Sequence, residues 1–310
     1  MVYNAETMAQ KKTSSSYKFP APIDNGQLIG HRAVRRAFDE AWARRNEYPL
    51  HPVWMLAGAR GIGKATMAYQ IAHQVYGNIG DFFIIDMEHN IDKDGRAKTD
   101  GKVISVYTVR AMIEKMQLSS MSGGWRVVLI DSVDELNTAA SNAILKLLEE
   151  PPANTLFLLV VHQLSNVLPT IRSRSRIEKM MPLGISELRE LCAMFLPEEE
   201  ISTATLRLAS GSFGKIANLK TTGGDDIYSE LLELLENPRA NSADTMRLAK
   251  KIAAEPALHG ILLDAIAHLG LADLYPTATR DIASISTIYL EPEIAIFKVI
   301  NDIKTGLLRR

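Results

Sequence analysis

The 310-residue chain has a single cysteine, Cys192. One thiol closes no internal disulfide and supplies no cysteine cluster for a structural zinc ion, so packing and hydrogen bonding must hold the fold. Excess charge is missing as well. The chain's 35 Lys and Arg stand against 36 Asp and Glu, for a formal net charge of -1. No global basic field draws such a chain to nucleic acid, so any contact with DNA has to come from a local patch or through a partner. No run approaches the roughly 18 apolar residues of a membrane span. The polar residues 1–16 contain no apolar signal-peptide core, so a cytoplasmic location without membrane contact is expected. Aromatic residues are scarce at 6%, yet 46% of the chain is hydrophobic, which excludes wholesale disorder. The length suggests about two domains, at roughly 150 residues each.

Residues 1–20, with the stretch Gln10-Lys11-Lys12-Thr13-Ser14-Ser15-Ser16, have little to bury and are expected to form a flexible tail. From 29 to about 45, Val34, Phe38 and Trp42 recur at four-residue spacing and predict a helix. Val53-Trp54-Met55-Leu56-Ala57 predicts a buried strand, 58–66 a glycine-rich turn, and Met67, Ala68, Ile71, Ala72 and Val75 an amphipathic helix. Further strands are predicted at 82–86, 126–131 and 155–161, with helices at 106–118 and 139–150, the second ended by Pro151-Pro152. Near-continuous apolar strands of this kind are usually covered on both faces, as in a parallel sheet. Segment 92–102 is too polar for core, and the β signal fades after Arg176. Short helices over 184–220, a linker at 221–224 and a helical remainder complete the chain. The fold expected is an α/β P-loop domain with a parallel sheet over 21–182, a small helical lid over 183–222 and an all-α domain over 223–310.

Two segments carry chemistry. Gly58-Ala59-Arg60-Gly61-Ile62-Gly63-Lys64-Ala65-Thr66 nearly matches a phosphate loop. Its glycines let successive backbone N–H groups point into one concavity, the helix N-terminus adds its dipole, and Lys64 faces the terminal phosphates. The residue after that lysine normally offers a hydroxyl to magnesium. Here it is Ala65, and Thr66 lies about 100° further round the helix. Arg126-Val127-Val128-Leu129-Ile130-Asp131 has the shape of a Walker B strand, whose terminal carboxylate orients the metal; the other reading of Asp131 is a turn residue. The next residue, a water-activating Glu in active ATPases, is Ser132, which takes no proton at neutral pH. Asp134 and Glu135 follow. Both defects fall on the same metal-and-water chemistry, so ATP or ADP is expected to bind weakly and hydrolysis to be weak or absent.

Three further segments follow in order: Gly123-Gly124-Trp125-Arg126-Val127-Val128, Asn142-Ala143-Ile144-Leu145-Lys146-Leu147-Leu148-Glu149-Glu150-Pro151-Pro152 and Leu168-Pro169-Thr170-Ile171-Arg172-Ser173-Arg174-Ser175. With these the sequence resembles the clamp-loader branch of the AAA+ ATPases, densely over about 28–220 and weakly beyond. Leu28-Ile29-Gly30-His31 and Gly211-Ser212-Phe213-Gly214-Lys215 fit the same family. The resemblance implies that Arg174 is an arginine finger reaching the ATP site of a neighbouring subunit, a task suited to a planar, permanently charged fork. It implies nucleotide contacts from Ile29 and Lys215, the latter where the family has arginine, and a polar sensor near His162, for which a surface histidine is the equal alternative. Many relatives carry four zinc cysteines after the phosphate-loop helix. Residues 77–105 have none, so no zinc and no other metal site is expected. The implied partners are clamp-loader subunits of the gamma/tau and delta types, with the sliding clamp and primer-template DNA reached through the complex. The implied role is that of a largely non-hydrolysing ring member of the DNA-directed DNA polymerase holoenzyme, with residues 223–310 as its oligomerising collar. The alternative is an autonomous AAA+ ATPase or remodelling motor, which would need the two missing groups. In the collar, Ile294, Ile296, Phe297, Ile300 and Ile303 suit a helix buried against partners or against its own domain, and Cys192 suits core packing.

Overall fold

A computed structural model describes residues 21–77, 81–98, 103–117, 124–237, 239–287 and 291–309. The expected tail at 1–20, residues 99–102 of the polar segment, Leu118 of the expected helix over 106–118 and Gly123, which opens the first of the three family segments, lie outside these residues. The described chain forms two compact units, one running to Leu183 and one beginning at Gly184.

The first unit is built on a five-stranded parallel sheet of order β2-β3-β4-β1-β5. Its strands are β1 Val53–Ala57, β2 Asp81–Asp86, β3 Arg126–Asp131, β4 Thr155–Val161 and β5 Arg176–Lys179. Every residue of β1 and β4 is buried, as expected of inner strands covered on both faces. Side chains alternate between the faces. Val53, Met55, Val128, Ile130, Phe157 and Leu159 join one cluster together with helices α3 Val106–Gln117 and α4 Thr138–Glu149. Trp54, Leu56, Val127, Leu129, Leu156 and Leu158 join the other, under α1 Arg32–Ala43 and α2 Lys64–Tyr76. A short helix, α5 Pro169–Arg172, leads into β5.

One segment differs from the sequence reading. β5 is a strand although its composition is polar. Among the described residues it pairs with β1 alone, from Trp54 opposite Arg176 to Ala57 opposite Lys179, so as an edge strand it needs little apolar surface. Residues 92–98 are half-buried or exposed, as their polarity predicts, and the chain around them is ordered by one buried side chain, Asn90. Its Oδ1 accepts from Ser105 N and Thr108 Oγ1, both at 2.9 Å, while its Nδ2 donates to Val103 O at 2.9 Å. Asp92 Oδ1 then closes a tight turn by accepting from Asp94 N and Arg96 N.

The second unit is helical: α6 Ile185–Phe195, α7 Thr203–Leu208, α8 Phe213–Thr222, α9 Gly224–Glu236, α10 Ser242–Ala254, α11 Gly260–His268, α12 Tyr275–Thr287 and α13 Pro292–Leu308. Leu208 and Leu219 share one core with Tyr228, Leu248, Leu262 and Ile300. The expected linker at 221–224 is the end of α8, a left-handed Gly223 with φ 67°, and the start of α9. One glycine reverses the chain where a four-residue connection was expected. On α13, Ile296, Ile300 and Ile303 are fully buried, whereas Ile294 is 50% exposed. Cys192 is buried, as its apolar setting predicts.

Candidate functional site

The phosphate-loop segment leaves β1 at Gly58, which only glycine permits. A Cβ there would lie 2.4 Å from the Met180 carbonyl oxygen and 2.8 Å from Ile62 Cδ1. Gly61 and Gly63 have φ of 78° and 101°, in the region that disfavours any side chain. Gly63 precedes α2, so Lys64 is the first residue of the helix. Ile62 is buried, and its carbonyl accepts a hydrogen bond from His31 Nε2 at 2.8 Å. His31 stands two residues beyond Ile29 at the start of α1. Sequence reasoning gave it no role, although the Gly30-His31 pair ahead of a helix was the available signal.

Lys64 is only 3% exposed, and its Nζ donates to the loop's own Ala59 carbonyl at 2.6 Å. Burial pushes its pKa down to about 8, with Arg60 adding to the effect and Asp131 and Asp134 opposing it. Asp131 ends β3 opposite Asp86 of β2. Burial, reinforced by Asp86 and opposed by Lys64, pushes the Asp131 carboxyl up to about 6. Ser132 is 1% exposed, and its hydroxyl has no hydrogen-bond partner among the described residues. The two carboxylates that follow are both engaged. Asp134 accepts from His162 N at 3.0 Å and Gln163 N at 2.9 Å, tying down the end of β4. Glu135 pairs with Arg60 of the loop. Burial, with Lys64 and Arg60 behind it, pushes the His162 pKa down to about 4, so its imidazole is neutral at physiological pH. These residues fit a nucleotide phosphate in part. The glycines and the helix end supply the concavity, but the lysine is turned onto a backbone carbonyl. Ala65, in the first turn of α2, has no side-chain oxygen, and Thr66 beside it is half-buried.

The Ser173-Arg174-Ser175 turn lies at the other end of the sheet. It immediately precedes β5, whose first residue, Arg176, is opposite Trp54, whereas the phosphate loop follows Ala57, opposite Lys179. Arg174 Nη2 donates to Glu149 Oε1 at 2.5 Å and Nη1 to Thr170 O at 2.9 Å. Ser175 Oγ donates to Ile171 O at 2.7 Å. Arg176 is structural: its guanidinium lies 4.1 Å over the Trp54 ring and its Nε donates to Glu178 at 2.8 Å. In the second unit, Lys215 pairs with Asp264 of α11 at 2.6 Å. The structure therefore brings Arg60, Lys64, Asp131 and Ser132 together, with Ile29 beside them in sequence through His31. It holds Arg174 apart from them and gives Lys215 a partner within its own unit. Among the described residues, no group of His, Cys, Asp and Glu is arranged to hold a metal ion, and no helix is long and apolar enough to cross a membrane.

A parallel sheet with a phosphate-loop segment after β1, a carboxylate at the end of β3 and a helical unit beyond defines a P-loop protein of the AAA+ type. Its fold is shared by a DNA polymerase III gamma subunit-related protein from Thermotoga maritima, with a TM-score of 0.51, 14% identity, and coverage of 89% of this chain and 98% of that one. The family model described as "DNA polymerase III, delta subunit" matches residues 36–184. The chain is 32% identical over 225 residues to DNA polymerase III subunit delta' of Pseudomonas aeruginosa, across 66% of this chain and 63% of the relative. It is 36% identical over 115 residues to the same subunit of Escherichia coli, across 36% and 34% of the two chains. Within the AAA+ class the chain is thus delta-prime-like. The matched stretches span 63% of the Pseudomonas relative and less than half of the E. coli one.

Proposed function

We propose that the chain is a clamp-loader subunit: a ring member with little or no ATP hydrolysis of its own, which lends Arg174 to the nucleotide site of a neighbouring gamma/tau-type subunit. The separation of Arg174 from the chain's own phosphate loop carries this reading. Three residues of β5 separate the register positions of the two ends, about 10 Å at 3.3 Å per residue. The guanidinium is engaged still further along, at the C-terminal end of α4. A phosphate that meets Arg174 therefore belongs to another molecule. One subunit with a loop at one end of its sheet and a finger at the other suits head-to-tail rings.

The groups around Lys64 support weak hydrolysis. Ala65 offers no metal ligand, Ser132 is buried, and Asp134 and Glu135 are already engaged. Nucleotide has to displace the Lys64–Ala59 contact, which favours weak binding with little magnesium dependence. Residues 183–222 would serve as the lid and 223–310 as the collar, with the clamp and primer-template DNA met through the complex in the cytoplasm. The test is DNA-stimulated ATPase of the complex reconstituted with gamma- and delta-type subunits. Arg174→Ala should cut turnover by about 10³-fold or more if the finger acts as such groups do elsewhere, and Arg174→Lys should rescue poorly. Unchanged turnover overturns the finger. Robust ATPase of the isolated chain would point to an autonomous motor instead.

A further inference from the structure

We propose that Glu149 is the positioning residue of Arg174, presetting the guanidinium for the neighbour's phosphate; this rests on the finger reading above. Glu149 is the last residue of α4, where Pro151-Pro152 stop the helix and Ala140, Ile144 and Leu148 lock its buried face. A carboxylate in a last helical turn faces the negative end of the helix dipole, so a cation beside it is favoured. Arg174 supplies that cation. Its guanidinium is held on two sides, by Glu149 Oε1 at 2.5 Å and by the Thr170 carbonyl at 2.9 Å, with Ser173 Oγ at 3.4 Å.

The pair is no device for stability. The two side chains are 34% and 45% exposed, and exposed pairs contribute little through water and salt. What it does change is freedom. A long arginine side chain at a surface samples many rotamers, and freezing them at an interface weakens every contact it makes there. Two fixed contacts remove much of that freedom before the neighbour arrives. They also leave donors to spare. Of the five guanidinium N–H groups, Glu149 takes one and Thr170 and Ser173 take at most two. At least two N–H groups are left for a phosphate.

Four versions of the reconstituted complex separate the alternatives: wild type, Glu149→Ala, Arg174→Ala and the double variant, with Glu149→Gln as the conservative control. Glu149→Ala should lower kcat by roughly tenfold, the scale of loss when a reacting group is misplaced by less than 1 Å, while KM stays put. Glu149→Gln keeps the acceptor oxygen and should restore most of the activity. In the Arg174→Ala background, Glu149→Ala should do nothing further. In the isolated full-length chain, Glu149→Ala should raise the mobility of the Arg174 Nε–Hε group in 15N relaxation and leave the unfolding curve unchanged. If Arg174→Ala cuts turnover and Glu149→Ala leaves kcat alone or raises it, positioning is overturned and the finger stands. A further loss in the double variant also overturns positioning, because Glu149 would then act elsewhere. If Arg174→Ala is itself silent, the finger reading falls and takes the positioning role with it.

Discussion

Replacing Asp131 by Asn should stabilise the first unit at pH 8 and do nothing at pH 4. The ordinary value of the Asp131 carboxyl is 3.8, and in the fold it stands at about 6, chiefly through burial and then through Asp86. Between those values the folded chain holds a proton that the unfolded chain releases. Stability therefore falls as pH rises through that window, and above it the full penalty of an ionised, buried carboxylate is present. Two pKa units at about 1.4 kcal/mol each give a penalty of about 3 kcal/mol. An amide of the same shape carries no charge, and its need for hydrogen-bond partners is close to that of the protonated carboxyl it replaces. The expected net is a gain of about 1 to 3 kcal/mol at pH 8 that shrinks to nothing by pH 4. All three tryptophans, Trp42, Trp54 and Trp125, belong to the first unit, so urea unfolding followed by tryptophan fluorescence reports that unit. A change of equal size at both pH values would refute the reasoning, because the carboxyl would then have the same pKa in the folded and the unfolded chain.

Gly58→Ala drives a methyl group into the Met180 backbone; a loss of roughly 1–3 kcal/mol, the usual cost of overpacking, should appear in the same fluorescence assay. Asn90→Ala removes three hydrogen bonds and strands the buried Ser105 and Thr108 groups. Hydrogen exchange across 86–98 should speed up, with about 2–4 kcal/mol lost from the first unit. Cys192 lies in the second unit, where burial pushes its thiol pKa up. Its labelling by a disulfide reagent at pH 8 should be slower than that of a free thiol and should not change in Asp131→Asn. Titration of the isolated chain with ATP should give weak binding with less than about a tenfold gain from magnesium, a difference of about 1.4 kcal/mol.

Some of this architecture was legible in the sequence. Strands β1, β3 and β4 have the ends their apolar runs suggest, because inner strands of a parallel sheet must be apolar on both faces. β5 was illegible for the converse reason: Arg176-Ile177-Glu178-Lys179 is an edge whose partner is supplied by tertiary structure alone. The order of 87–98 rests on Asn90, and no period or composition marks one buried asparagine among polar neighbours. At the site, the phosphate-loop segment and Asp131 were visible as motifs. The engagements that decide their chemistry were not, since Lys64 with Ala59, Arg60 with Glu135 and Asp134 with the backbone of His162 are set by side-chain direction and long-range packing. Lys215 shows the same limit. Its position in a motif can be read, but Asp264, from a different helix, cannot.

The edge strand β5 also acts as a ruler. At its start, Arg176 is stacked on Trp54, and at its end the Met180 carbonyl fills the space that a side chain on residue 58 would need. With both ends pinned, four residues set the distance between the turn that carries Arg174 and the loop that carries Lys64. Inserting or deleting one residue within 176–179 would shift one end by about 3.3 Å and turn the side chains to the opposite face. Either Trp54 loses its cation or Gly58 loses its neighbour. Length in this strand is therefore under tighter constraint than residue identity, and a charged edge of unremarkable composition can tolerate many substitutions but no change in count.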